Sequence, residues 1–138
     1  MKSLEKLIDT AIDTAIDAAV NILNAKKQLN AFCFFVNSDG CFTSVVPNET
    51  EFNFDESYIV DSFKDFGNEK MEDAGTEGYC ITYSQTVKLH GTETDAIVVF
   101  LKLKNDLLPL KTRIYYYPYN FVDGRPFVDF ESAFASEN

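Results

Sequence analysis

The chain has 138 residues, of which 46% are hydrophobic and 14% aromatic, and its formal net charge is −10. This length and apolar content predict a single domain, residues 1–138, and exclude a disordered protein, because burying so much apolar surface offsets the entropy cost of folding. The negative charge argues against nucleic acid and membrane partners, and no apolar run is long enough to cross a bilayer, so we expect a soluble cytoplasmic protein.

Residues 4–29 predict a long amphipathic helix. A four-residue unit repeats through residues 8–19, so the apolar stripe drifts slowly around the helix and produces a wide face suited to packing on a sheet. Asp9, Asp13 and Asp17 stand at i, i+4 and i+8 on one stripe. This stripe is typical of a solvated face, and the alternative is recognition of a basic partner. We expect no metal there, because Ca²⁺ needs six to eight converging oxygens.

A β-hairpin and a second helix follow. Residues 32–47 are rich in aromatic and β-branched side chains, and Asp39-Gly40 within them is typical of a tight hairpin turn. Residues 56–66 then predict a helix, because apolar side chains recur at helical spacing. We expect Asp55 to cap this helix and Gly67 to end it.

The last third of the chain predicts three long strands, at residues 79–89, 94–104 and 111–119. Larger apolar side chains occupy the odd positions of the first two, so we expect odd residues to pair and the loop near His90 to hold an odd number of residues. Pro118 suggests an edge, a bulge or the end of a strand. The sequence therefore predicts an α+β fold, order α-ββ-α-βββ, with an N-terminal helix and a second helix packed on a five-stranded antiparallel sheet.

Residues 95–99 read Asp-Ala-Ile-Val-Val, and residues 113–119 read Arg-Ile-Tyr-Tyr-Tyr-Pro-Tyr. Together with residues 124–130 they resemble a small family of uncharacterised bacterial proteins, in which a D-A-I strand precedes a strand ending in aromatic-Pro-Tyr. The resemblance implies a fold and no activity. The element order also resembles the profilin-like and roadblock layout, a likeness of fold that does not determine function.

The densest aromatic run ends the third predicted strand. Tyrosine offers a large contact area at a low cost in rotamer entropy, so this run is a candidate surface for a protein partner. The alternative is that alternate rings fill the core. The candidate partner-binding residues are Tyr115, Tyr117, Tyr119 and Phe121, with Asp9, Asp13 and Asp17.

The chain lacks the motifs of common catalytic sites. It contains no G-x-S-x-G, no H-E-x-x-H and no phosphate-cradling glycine loop. No partner can be assigned to His90, the only histidine, and the three cysteines show no C-x-x-C spacing. We therefore expect no catalytic residue, no cofactor and no metal.

These patterns favour a small acidic protein-binding module that holds a protein partner or a second copy of itself, with a homodimer as the expected state. A sharper version is an immunity or chaperone-like protein that masks a basic partner. The alternative is an enzyme or small-molecule binder whose pocket is lined by tyrosines and a carboxylate such as Asp95. A third hypothesis is a structural subunit of a larger assembly.

Overall fold

The fold is an antiparallel sheet with one helix on each face. The computed structural model describes residues 2–45, 56–104 and 111–137. Its helices are α1 (Lys2–Lys26) and α2 (Glu56–Lys70). Its strands are β1 (Phe32–Asn37), β2 (Phe42–Val45), β3 (Thr76–Leu89), β4 (Thr92–Leu103), β5 (Lys111–Val122), β6 (Arg125–Val128) and β7 (Phe134–Glu137), and a 3₁₀ turn, Phe130–Ser132, separates the last two.

The sheet has seven strands within the described residues, in the order β2-β1-β3-β4-β5-β6, and β7 also pairs with β5. Strand β6 pairs with residues 119–122 of β5, and β7 pairs with residues 113–116. Since β4 pairs along residues 111–119 on one edge of β5, the two short strands share the opposite edge. The predicted five-stranded sheet, with its profilin-like or roadblock layout, is therefore wrong, whereas the α+β class is confirmed.

Helix α1 covers one face of the sheet. Its side facing the strands carries Ala11, Ala15 and Ala19, all with no exposed area, followed by Leu23, which is also fully buried. Alanine at successive turns removes side-chain bulk between helix and sheet, so the backbone of α1 lies close to the strands. Side chains of α1 form one core cluster with residues of β1, β3, β4 and β5.

Helix α2 covers the other face, and it continues through Gly67 to Lys70, so the prediction that Gly67 ends the helix is wrong. A β-carbon at Gly67 would lie 2.5 Å from ring carbons of Tyr79, and the glycine therefore makes room for the tyrosine ring. This role depends on packing between distant residues, which local sequence patterns do not reveal. Asp55, the predicted cap, lies outside the described residues.

The turn between β3 and β4 contains two residues, His90 and Gly91, with φ of 52° and 80°. Two consecutive residues with positive φ are typical of the tight turns that match the twist of a hairpin. The turn pairs Leu89 with Thr92 and, further along, Tyr79 with Lys102, so odd residues face even residues and the predicted odd register is wrong. Residues 96–101 of β4 are buried on both faces, so apolar alternation does not select the register and the turn does.

Tyr79 lies in the core between β3 and α2 and is 1% exposed. Its hydroxyl donates a hydrogen bond to Oδ1 of Asn68 at 3.0 Å, and the Lys102 ammonium donates to the same oxygen at 2.9 Å. Burial chiefly, and then electrostatic interaction with Cys33 and Asp65, raises the pKa of Tyr79 from 10 to about 12. The neutral hydroxyl is therefore favoured in the folded protein.

Because the unfolded chain releases this proton at lower pH than the native state, the stabilisation is fully present below pH 10 and is lost as the pH rises towards 12. We expect the unfolding free energy of the Tyr79→Phe variant to decrease less between pH 10 and pH 12 than that of the wild-type protein. Urea denaturation at a series of pH values measures this. The slope against pH is the readout, since loss of the hydrogen bond to Asn68 lowers stability at every pH. An unchanged slope would contradict the assignment.

Candidate functional site

A groove of about 880 Å³ lies between α1 and the C-terminal strands. Ile16, Asp17, Val20 and Asn21 form its helical wall, and residues 126–131, from β6 and the 3₁₀ turn, form the other. Most of the lining residues are apolar, and the charged ones are carboxylates. Such a groove fits an apolar anchor with a positive charge beside it.

The wall opposite α1 is held in place by backbone and cap contacts. The amide of Asp129 donates to the carbonyl of Pro118 at 2.8 Å, which ties the end of β6 to β5. The carboxylate of Asp129 accepts from the amide of Ser132 at 3.3 Å and so caps the 3₁₀ turn. The turn places the ring of Phe130 edge-on to Tyr117, with centroids 5.8 Å apart.

Lys27 joins the end of α1 to the turn between β5 and β6. It follows α1 with φ of 58°, and its amide donates to the carbonyl of Leu23 at 2.8 Å, which ends the helix. Its ammonium donates to the carbonyl of Asn24 at 3.0 Å and to that of Gly124, in the turn between β5 and β6, at 2.5 Å. The Lys27 ammonium therefore links the end of α1 to the hairpin of β5 and β6.

The predicted tyrosines lie on the face of β5 that α1 covers. Tyr115 and Tyr117 are half-buried and pack against the core cluster of α1. Tyr119 is 7% exposed and shares a hydrogen bond of 2.9 Å with the hydroxyl of Ser84. Phe121 is 40% exposed at the end of the strand. Tyr119 is therefore part of the core. The side chains of this strand face that a partner can reach are Tyr115, Tyr117 and Phe121.

The acidic stripe of α1 lies near these rings. Asp9, Asp13 and Asp17 are all exposed, and Asp17 lines the groove. Burial chiefly, and then negative charge at Tyr115, Asp13 and Asp9, raises the pKa of Tyr117. Asp9 and Asp13 therefore lie close enough to β5 to act on Tyr117, and Asp17 lines the groove beside it, so the structure brings members of the two sets of predicted residues together.

Exposed apolar side chains concentrate at this edge of the sheet. The large hydrophobic residues with the greatest exposure there are Phe130 at 61%, Phe127 at 58% and Val122 at 51%, with Phe121 and Phe134 at 40% each. Only Tyr58 and Phe66, both on α2, are comparably exposed elsewhere among the described residues. Phe121 and Phe130 lie with the tyrosines on the face that α1 covers, whereas Val122, Phe127 and Phe134 lie on the other face. Exposed apolar side chains beside charged ones are typical of an interaction site.

Sequence patterns did not identify residues 126–131 as part of a site. The one local signal is the alternation of apolar and acidic side chains from Val128 to Glu131. That alternation indicates a site only once the fold is known, because β6 returns along β5 and brings these residues opposite α1.

Asp95, the carboxylate of the enzymatic alternative, does not line this groove. Asp95 is exposed on β4, where its carboxylate accepts a hydrogen bond from the Thr86 hydroxyl at 3.2 Å. Burial raises the pKa of the Cys33 thiol, and it raises that of Cys80 to about 12. Both thiols are therefore held protonated, and of the three free cysteines only Cys41 is exposed.

Neither α1 nor α2, the two helices of the described residues, combines the length and the apolar character required to span a bilayer. No protein-family model, curated protein or solved structure matches the chain. The resemblance of residues 95–99 and 113–119 to a bacterial family stays a prediction, and function has to be inferred from the groove and its surroundings.

Proposed function

We propose that this chain is a non-catalytic protein-binding module, and that the groove between α1 and β6 holds a segment of a partner protein that carries both apolar and basic side chains. The composition of the groove carries this proposal. Asp17, Asp129 and Glu131 are the charged residues of its lining, and within the described part of the chain that lining includes neither Lys nor Arg. An apolar anchor would fill the groove while Lys or Arg of the partner meets the carboxylates.

Phe130 supplies the main exposed apolar contact of the groove. It is 61% exposed and packs edge-on against Tyr117 on the face that α1 covers, whereas Phe127, opposite Asn120 on β5, points to the other face of the sheet. Covering the exposed part of such a ring contributes up to roughly 1.5–3 kcal/mol. A partner that covers Phe130 together with Val128 and Ile16 gains enough to offset part of the cost of association.

The charge of the whole chain supports the same class of partner. A net charge of −10 attracts basic proteins over long range and accelerates their encounter at low salt. The proposal therefore includes a masking role, in which the module covers a basic surface of another protein. Three free cysteines support action in a reducing compartment, the cytoplasm. A homodimer is the competing arrangement, and repulsion between two copies of charge −10 opposes it.

The test is selection from a random peptide library displayed against the immobilised protein. We expect the enriched peptides to combine apolar residues with Lys or Arg, and their binding to weaken as salt increases. Phe130→Ser should weaken binding at least tenfold, because it removes an exposed ring of the groove. The exposed position of Phe130 makes this change compatible with folding, which circular dichroism verifies.

Tyr58→Ser is the matched control. Tyr58 is 49% exposed on α2, on the other side of the sheet, so its replacement should leave peptide binding unchanged. Enrichment of acidic peptides would overturn the proposal, as would equal losses in the two variants. Sedimentation at several protein concentrations separates the homodimer, since a dimer that Phe130→Ser dissociates would place a second copy in the groove.

A further inference from the structure

The groove restricts the conformation of the segment that it holds. We infer that the partner segment binds as an amphipathic α-helix lying beside α1, with its apolar side chains in the groove and its Lys or Arg residues along Asp9, Asp13 and Asp17. This inference rests on the proposed function and adds the secondary structure and charge pattern of the ligand.

The edge of β6 is poorly suited to an added strand. The turn at Asp123 and Gly124 pairs Val122 with Arg125, and the first pair beside a two-residue turn exchanges its own hydrogen bonds. Hydrogen-bonded and non-bonded pairs then alternate, which agrees with the bond from the Asp129 amide to the Pro118 carbonyl.

Pro126, opposite Phe121, belongs to a non-hydrogen-bonded pair. Its own backbone groups therefore point away from β5, towards the outer edge of the sheet. A proline has no amide hydrogen, so the outer edge of β6 lacks a donor at the position where a partner strand needs one. Val128 is the remaining residue of β6 whose amide points outward. A segment in this groove is therefore held by side chains, which favours a helix over strand addition.

The face beside α1 is only partly covered at β5 and β7. Helix α1 contacts β3, β4 and β6, while Tyr115 and Tyr117 of β5 are half-buried and Ala135 of β7 is exposed on the same face. A second helix on this face would pack against α1 at an axial distance of about 8–10 Å. The groove of about 880 Å³, lined by α1 and residues 126–131, would receive its apolar side chains.

The acidic stripe determines the charge pattern of the ligand. Carboxylates at i, i+4 and i+8 of α1 recur about every 6 Å, and the effect of Asp13 and Asp9 on Tyr117 places them towards β5. A partner helix with basic residues at the same spacing can pair with all three. The stripe adds specificity to the groove, since exposed ion pairs contribute little affinity individually.

The test uses a labelled peptide whose leucines recur at i, i+3, i+4 and i+7 and whose lysines recur at i, i+4 and i+8. Its comparison peptide has the same composition in strict alternation, the pattern of a strand. We expect the first peptide to bind more tightly by fluorescence anisotropy and to gain helicity on binding by circular dichroism. Asp13→Lys should weaken the binding of this peptide about fivefold. The same variant should bind a peptide with Glu in place of the lysines about fivefold more tightly than the wild-type protein does.

Asp61→Lys, on the exposed surface of α2, is the matched charge control and should leave specific binding within twofold. Equal or tighter binding of the alternating peptide would overturn the helical inference while the proposed function stands. Library-selected peptides that bind in a Phe130-dependent manner without gaining helicity would overturn it in the same way. Failure of every basic apolar peptide, selected or designed, would overturn the proposed function itself.

Discussion

Gly67→Ala is expected to destabilise the fold by about 2 kcal/mol, although alanine is the better helix former by about 1 kcal/mol. The new β-carbon would lie 2.5 Å from the ring of Tyr79. That ring is 1% exposed and stacks on Phe100 at a centroid distance of 6.1 Å, so it has no free space to move into. Urea denaturation should show the loss, and the melting temperature should fall by roughly 8 °C.

Gly75→Ala is the control for this substitution. A β-carbon at Gly75 would meet no atom within 4 Å, and its φ is not positive, so we expect a change below about 0.5 kcal/mol. A double-mutant cycle adds specificity, because Gly67→Ala should cost less when Tyr79 is replaced by Leu. A Gly67→Ala variant as stable as the wild-type protein would show that α2 and Tyr79 do not pack as described.

Leu23→Ala is expected to destabilise the fold by about 3 kcal/mol, the larger of the two effects. Leu23 has no exposed area and lies at the C-terminal end of α1 within the core cluster that this helix forms with the sheet. Removing its side chain loses buried apolar surface and leaves a cavity, a combination that costs about 2–5 kcal/mol. The measurement is the urea midpoint, with the slope of the transition unchanged.

Val122→Ala is the matched control, because Val122 is 51% exposed at the end of β5 and should cost less than about 0.5 kcal/mol. Similar losses in the two variants would mean that α1 does not pack its Leu23 side against the sheet. Since Lys27 follows Leu23 by one helical turn and holds Gly124, the Leu23→Ala variant should also bind groove peptides more weakly.

The sequence predicted those parts of the fold that have strong local patterns. Helix α1 is 25 residues long and repeats its apolar positions throughout, so its existence follows from periodicity. Strands β3, β4 and β5 have 12 to 14 residues each and are rich in β-branched and aromatic side chains. Such long patterns identify an element before its tertiary contacts are known.

The missed features depend on contacts between distant residues. Strands β6 and β7 have four residues each, and they exist because β5 offers an edge for pairing. The register of β3 with β4 was not predictable from alternation, because a helix covers each face and both sets of side chains are buried. Gly67 resembles a helix end until the ring of Tyr79 is seen beside it.

The candidate site was predicted in part for the same reason. Asp9, Asp13, Asp17 and the tyrosines of β5 were recognisable from spacing and composition. Residues 126–131, which complete the groove, have no comparable pattern and acquire their place only when β6 folds back on β5.

The division of the outermost strand into β6 and β7 bears on aggregation. Fibrils grow when an unbroken, flat strand presents a row of backbone donors and acceptors to another molecule. Here the border of the sheet bends at a 3₁₀ turn after four residues and contains a proline. This border is thereby a poor template for stacking copies edge to edge, and the phenylalanines along it stay accessible for specific recognition.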